Sequence, residues 1–330
     1  MILILAGITI NLVTGDNGLI KKSKDAKEQY EKAQENELSM TNETADWIDE
    51  KVEGKVDWKQ VLEEANANPN KYKHKDQSST NGDIGIGTDG EPVNLDLWIY
   101  RTEGDTKQIM LYNINGCGLA DTGYRGPIIN GKTIQGKVPQ YIKIAGKDEF
   151  FPVTDMSDTF RYLPLVIAPE IPSSVINMED TFERCVNLEI APKIPSSVIN
   201  MEGTFAECEN LKIALQIPSS VTNMERTFWG CTNLKTAPEI PSSVINMEGT
   251  FVRCINLETA PVIPSSVMNM KWTFTDCTSL TGNLVINANP TIYRACLSGA
   301  GTKEGANLVL SGTSNILDKI KATKDDSPGE

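Results

Sequence analysis

The chain has 330 residues, of which 39% are hydrophobic, enough to bury a core and too many for a disordered protein. A formal net charge of −13 argues against nucleic acid, whose phosphates need clustered Lys and Arg, disfavours anionic membranes, and suits a cationic, neutral or carbohydrate-like partner. The single histidine, His74, sits in the polar stretch Lys71-Tyr72-Lys73-His74-Lys75-Asp76, which argues against histidine-based acid–base catalysis and excludes multi-histidine metal sites.

Residues 1–13 are apolar but too short to span a bilayer alone, and Thr14-Gly15-Asp16-Asn17-Gly18 breaks the run. Residues 19–38 predict an amphipathic helix, with Leu19, Ile20, Ala26, Tyr30, Ala33 and Leu38 near helical spacing. Leu5-Ala6-Gly7-Ile8-Thr9-Ile10 and Thr14-Gly15-Asp16-Asn17-Gly18-Leu19-Ile20 resemble the C-terminal half of the prepilin-like segment of Gram-positive surface proteins. That resemblance implies export and membrane anchoring through the N-terminus. The family's processing site and basic start are absent here, so Met1 reads as an internal methionine of a longer reading frame.

Residues 56–66 predict a second helix, with Asp57 near its start and Asn68-Pro69 ending it. Residues 76–92, rich in Asp, Gly, Ser and Asn, read as a linker. Strand-like runs follow, including Leu95-Asp96-Leu97-Trp98-Ile99-Tyr100 and Tyr141-Ile142-Lys143-Ile144. They predict a β-rich cap that would cover the open edge of whatever comes next.

What comes next is periodic. Cysteines stand at 185, 208, 231, 254 and 277, phenylalanines at 182, 205, 228, 251 and 274, and methionines at 178, 201, 224, 247 and 270, each column advancing by 23 residues. The unit is legible in residues 191–213: Ala-Pro-x-Ile-Pro-Ser-Ser-Val-x-Asn-Met-x-x-Thr-Phe-x-x-Cys-x-Asn-Leu-x-x. A degenerate first unit runs Val153-Thr154-Asp155-Met156-Ser157-Asp158-Thr159-Phe160. One such unit cannot bury its own apolar face, so the units must stack into a solenoid. Short strands are expected at Val-x-Asn-Met and around Leu-x-x-Ala-Pro-x-Ile, with a helical turn at Thr-Phe-x-x-Cys. After residue 282 the period breaks. Leu284-Val285-Ile286 and Leu308-Val309-Leu310 predict closing strands, residues 315–323 a last helix, and residues 324–330 a polar tail.

The combination of Ile-Pro-x-Ser-Val with Phe-x-x-Cys-x-x-Leu resembles the BspA-like leucine-rich repeats of bacterial surface proteins. Asn-Met stands here where that pattern has Ile-Gly, and Thr-Phe where it has Ala-Phe. The resemblance implies an α+β chain built on a leucine-rich-repeat solenoid. Its expected divisions are 1–40, an N-terminal helical segment; 41–92, helix and linker; 93–152, a β-rich cap; 153–282, the repeats; and 283–330, a C-terminal cap and tail. It also implies a cell-surface or extracellular recognition or adhesion protein whose partner is a host or neighbouring-cell protein or a glycan.

Five of the seven cysteines form the column, with Cys117 and Cys296 outside it. Their Cβ vectors in stacked coils would be parallel, which suits free buried thiols better than disulfides. The columns of asparagine, Asn177 to Asn269, suit stacked amides that satisfy turn backbone. Binding belongs where coils differ. Trp229 and Trp272 replace residues that are otherwise polar or small, and they read either as binding anchors or as local packing. Glu179, Glu202, Glu225 and Glu248 form an acidic column broken by Lys271. That column reads either as a solvated face or as a charged flank for a basic partner or hydrated sugar. No cofactor or metal motif is present. A non-catalytic binding protein is the reading the residues favour. A minor pilin-like or secretion-apparatus component, and a hydrolase with an unrecognised carboxylate pair, are the alternatives.

Overall fold

The computed structural model describes residues 56–73, 75, 82–102, 108–112, 129–130, 133–134 and 137–325. The chain divides into two units, Met1–Val56 and Asp57–Glu330. The prepilin-like segment, His74 and Cys117 lie outside the described residues.

Helix α1 (Trp58–Ala67) starts where the Asp57 carboxylate accepts the Gln60 N–H, 3.2 Å away, and ends at Asn68 before a 3-10 turn led by Pro69. Eight strands follow: β1 (Ile84–Gly87), β2 (Pro92–Val93), β3 (Ile99–Thr102), β4 (Ile109–Tyr112), β5 (Ile129–Asn130), β6 (Thr133–Ile134), β7 (Pro139–Lys143) and β8 (Phe151–Asp155). Six of them make one sheet in the order β2-β1-β7-β8-β4-β3, antiparallel throughout except for the β4–β8 pair. β5 and β6 pair as a separate hairpin.

Two expectations fail here. β1 lies inside the stretch read as linker. Its glycines are there for close packing: a Cβ on Gly85 would lie 2.5 Å from Leu95 Cδ2. The run at Leu95 is not extended at its start. Asn94 accepts the Asp96 N–H and turns Leu95–Leu97 into a 3-10 turn, and the strand begins only at Ile99.

β8 feeds directly into the repeats. Asp155, its last residue, bridges in parallel to Asn177, and the ladder continues through Asn200, Asn223, Asn246 and Asn269 to Ile292. A second line of parallel bridges includes Ile167–Ile190–Ile213, Thr236–Thr259 and Ile263–Ile286.

The Thr-Phe-x-x-Cys segment is not helical. Met178, Asp180, Phe182 and Arg184 donate their N–H groups to Asn200, Glu202, Thr204 and Ala206 of the next coil. Between them Thr181, Glu183 and Cys185 donate three residues back in their own coil. Alternation of this kind needs left-handed backbone twice per coil: at Asp180 and Arg184, Gly203 and Glu207, Arg226 and Gly230, Gly249 and Arg253, Trp272 and Asp276. A right-handed helix would spend the same N–H groups within its own coil and leave the neighbour's carbonyls unpaired.

The Met, Phe, Cys and Leu columns are buried to within 1%. From Phe182 to Phe274 the rings stack with centroids 5.5–5.7 Å apart and planes within 10°. A threonine column from Thr181 to Thr273 is equally buried. Each hydroxyl donates to the methionine carbonyl of an adjacent coil, as Thr204 does to Met178 at 2.8 Å. The cysteines do the same toward phenylalanine carbonyls, Cys208 Sγ reaching Phe182 at 3.1 Å. All five are unpaired as disulfides. Burial pushes the Cys185 thiol up to about 12 and raises the others as well.

The ends are sealed by apolar and polar contacts together. Trp98 meets Phe160 edge-on at 6.2 Å, and Thr159 donates to the Leu111 carbonyl of β4. At the far end β9 (Gly282–Val285) pairs in parallel with β10 (Leu308–Ser311). Helix α2 (Leu317–Ala322) buries Ile320 in the same core. Cys296 takes the threonine position of its turn, 3.3 Å from Thr323 Oγ1. Among the described residues no helix is long and apolar enough to cross a membrane.

Phe228→Ala opens a gap in the ring stack and should lower unfolding free energy by about 3–5 kcal/mol in urea titration. The column cysteines should resist iodoacetamide in the native chain and label fully after unfolding. Native labelling, or a mass deficit of two hydrogens on column peptides, would contradict their burial as thiols.

Candidate functional site

The face beside the asparagine ladder carries most of the chemistry that differs between coils. Each asparagine carboxamide oxygen accepts the N–H two residues on, at Glu179, Glu202, Glu225, Glu248 and Lys271. The amide nitrogens reach back one coil. Asn200 donates to Asn177 at 2.9 Å, Asn223 to Asn200 and Glu202, Asn246 to Glu225, and Asn269 to Glu248. The amide column is therefore structural, and it pins three of the four glutamates.

The acidic column differs along its length. Partial burial and repulsion from Glu202 raise the Glu179 carboxyl above its ordinary range, and burial with Glu225 does the same to Glu202. Asp180 and Glu183 are raised chiefly by burial, although Arg161 bridges to both. At the other end burial also opposes charge on Glu248, but Lys271 Nζ at 2.7 Å and the Asn269 amide outweigh it and hold that carboxyl low.

Trp229 and Trp272 come together. They line one shallow cleft of about 310 Å³ with Glu225, Arg226, Glu248 and Gly249. Sequence spacing had left open whether they share a patch. Gly249 decides it: a Cβ there would sit 3.2 Å from the Trp229 ring and 3.4 Å from Arg226 Cγ, so both side chains lean across this notch toward the Trp272 coil. The Arg226 guanidinium lies 4.9 Å from the centre of the Trp229 ring, and Lys271 Nζ lies 3.7 Å from that of Trp272. Glu179 and Glu202 belong to the same column but do not line the cleft.

Trp272 is placed against local preference. Its φ is 58°, where two other coils carry Gly203 and Gly249. Left-handed backbone in a non-glycine residue costs about 1–2 kcal/mol. Its indole N–H is buried without a hydrogen-bond partner among the described residues, a loss of about 1–3 kcal/mol. The sequence reading named Lys271 only as the break in the acidic column and did not assign Arg226 or Gly249 to the site. The available signal was the succession Asp180, Gly203, Arg226, Gly249, Trp272, in which a notch alternates with a bulky residue.

Carboxyls raised by folding bind protons more tightly in the native state, so their charged forms oppose folding at neutral pH and the opposition fades as pH falls toward the folded pKa. Glu179→Gln should therefore raise the thermal midpoint at pH 7, and its advantage over the parent should shrink as pH falls through the raised carboxyl's range. An advantage that grows on acidification would contradict the assignment.

Residues 157–301 match the family model of the BspA type leucine rich repeat region, in 6 copies. A search of curated proteins gave no match. Among solved structures, a leucine rich cell surface protein from Faecalibacterium prausnitzii A2-165 is 22% identical with a TM-score of 0.51, over 66% of this chain and 54% of that one. A leucine-rich repeat protein from Bacteroides ovatus ATCC 8483 is 20% identical with a TM-score of 0.44, over 66% and 53%. The leucine rich repeat protein of T. pallidum is 18% identical with a TM-score of 0.47, over 70% and 94%. The chain spans about half the length of the first two. The F. prausnitzii likeness is one of fold alone. With the 23-residue ladder of Asn177, Asn200, Asn223, Asn246 and Asn269, the family match identifies residues 157–301 as a BspA-type leucine-rich-repeat region.

Proposed function

We propose that the chain is a cell-surface or extracellular recognition protein that acts by binding a host or neighbouring-cell protein or glycan, without catalysis. The observation that carries this reading is the meeting of Trp229 and Trp272, from coils two repeats apart, over Gly249. A solenoid needs no tryptophan at either position, since the other coils manage with small or polar residues there. Two large, half-buried rings meeting at one surface cleft are what an interface uses as anchors. The family match and the surface location of the F. prausnitzii protein support the setting. Anchoring through the prepilin-like segment, and adhesion as the outcome, belong to the same proposal. In this reading Glu225 and Glu248 contribute from the wall of the cleft, and Glu179 and Glu202 extend an acidic flank along the repeats.

The test is a binding array of cell-surface proteins and glycans probed with the full chain. For any ligand found, Trp229→Ala and Trp272→Ala should each weaken binding by about 1–2 kcal/mol while the circular-dichroism melt stays intact. Parental binding by both variants would move the surface elsewhere, first to residues 93–152. Unfolding of both would make the tryptophans packing residues.

A further inference from the structure

We infer that the tryptophan cleft is a subsite for a neutral saccharide, one or two pyranose rings lying against Trp229 and Trp272 across Gly249. The inference rests on the reading of this cleft as the contact surface and adds the chemistry of what enters it.

Size is the first constraint. A cleft of about 310 Å³ stands at the bottom of the range for small-molecule sites, roughly 300–1,000 Å³. It admits a sugar unit or a side chain, and a helix or strand would have to lie over it rather than in it.

Charge is the second. Lys271 and the Asn269 amide occupy Glu248. The Asn246 amide occupies Glu225. Arg226 lies over the Trp229 ring and lowers the electrostatic burden on Asp180, Glu183 and Glu202. Glu248 is thus neutralised by an ion pair, while Glu225 and Arg226 keep hydrogen-bonding capacity toward a ligand. An ionic ligand would give up its hydration for little in return. A neutral ligand meets no such penalty.

The third constraint is the combination of surfaces. The half-buried indoles offer a small apolar area beside the Arg226 and Lys271 cations that lie against their rings, while the Glu225 carboxylate and the exposed Arg226 guanidinium offer an acceptor and donors at the rim. A pyranose has this pairing in one rigid unit: C–H groups on its faces and hydroxyls at its edge. A proline-rich peptide also docks on aromatic grooves, and its carbonyls can accept from Arg226, but its prolines have no N–H to donate to Glu225.

The full chain should be screened on an array of neutral glycans. Cellotriose, mannotriose and the N-acetylglucosamine trimer should then be titrated by tryptophan fluorescence and calorimetry. At least one neutral saccharide should bind saturably and shift the emission. Trp229→Ala and Trp272→Ala should each weaken it at least tenfold, and Glu225→Gln severalfold. Lys212→Gln, at the exposed ion pair with Glu189, should leave it unchanged. If an alanine variant melts early, Trp229→Phe and Trp272→Phe keep a ring and should show an intermediate loss. Failure of every neutral glycan overturns the saccharide assignment. A peptide or protein whose binding both tryptophan variants abolish would overturn it too, yet keep the cleft as the contact surface. Glycan binding that neither tryptophan variant changes overturns both.

Discussion

The structure depends on one exchange: the backbone of each turn finds its hydrogen-bond partners in the next coil. Met178, Asp180, Phe182 and Arg184 donate forward, and the same four register positions do so in the coils that follow. A buried N–H without an acceptor is expensive, so slipping one coil by a single residue would unpair the whole row. Register therefore comes from the main chain. The stacked phenylalanines, the buried threonine hydroxyls and the thiols bonded to carbonyls are fitted to that register and reinforce it. Glycines at 203, 230 and 249 supply left-handed backbone, but Arg226, Arg253 and Trp272 adopt it without that freedom. The exchange with the neighbouring coil over-determines their conformation.

Repetition made much of this legible. Five copies of Met, Phe, Cys and Leu at a fixed step announce columns, and columns announce a core. The asparagine column was readable for a similar reason, since an amide both donates and accepts and can bond to its own copy. The turn was not readable as it stands. Thr-Phe-x-x-Cys has the spacing of a helical turn, and only pairing with a neighbouring coil forces it into alternating hands. β1 was hidden because a strand with glycines at alternate positions has the composition of a loop. Leu95, packed against Gly85, explains it only once both are in place. The convergence of Trp229 and Trp272 was beyond the sequence for a geometric reason: residues at different register positions meet only if one side chain leans across a coil, and that requires the notch at Gly249.

Along the acidic column, one end is set apart by composition. Lys271 interrupts the series and neutralises Glu248, whereas Glu179 and Glu202 repel each other, and the Asn223 amide and Arg226 offset only part of the burial cost at Glu202. The tryptophan cleft lies toward the compensated end. Two kinds of surface therefore sit on neighbouring coils of one scaffold, a neutral aromatic notch and an acidic flank. Nothing in the core distinguishes them, because the same Met, Phe, Cys and Leu columns run beneath both.

That uniformity has a consequence for how such chains diversify. Each coil presents the same hydrogen-bonding edge above and below, so duplication or loss of one 23-residue unit preserves the backbone pairing of the solenoid, while side-chain fits such as Gly203 against Asp180 and Gly249 against Trp229 stay specific to their neighbours. The scaffold is indifferent to coil number. The cleft is not, because it is assembled from three consecutive coils, those of Trp229, Gly249 and Trp272. A unit inserted between Trp229 and Trp272 would still fold and would split the two rings apart. Recombination among coils can therefore erase or create a notch of this kind in a single genetic event.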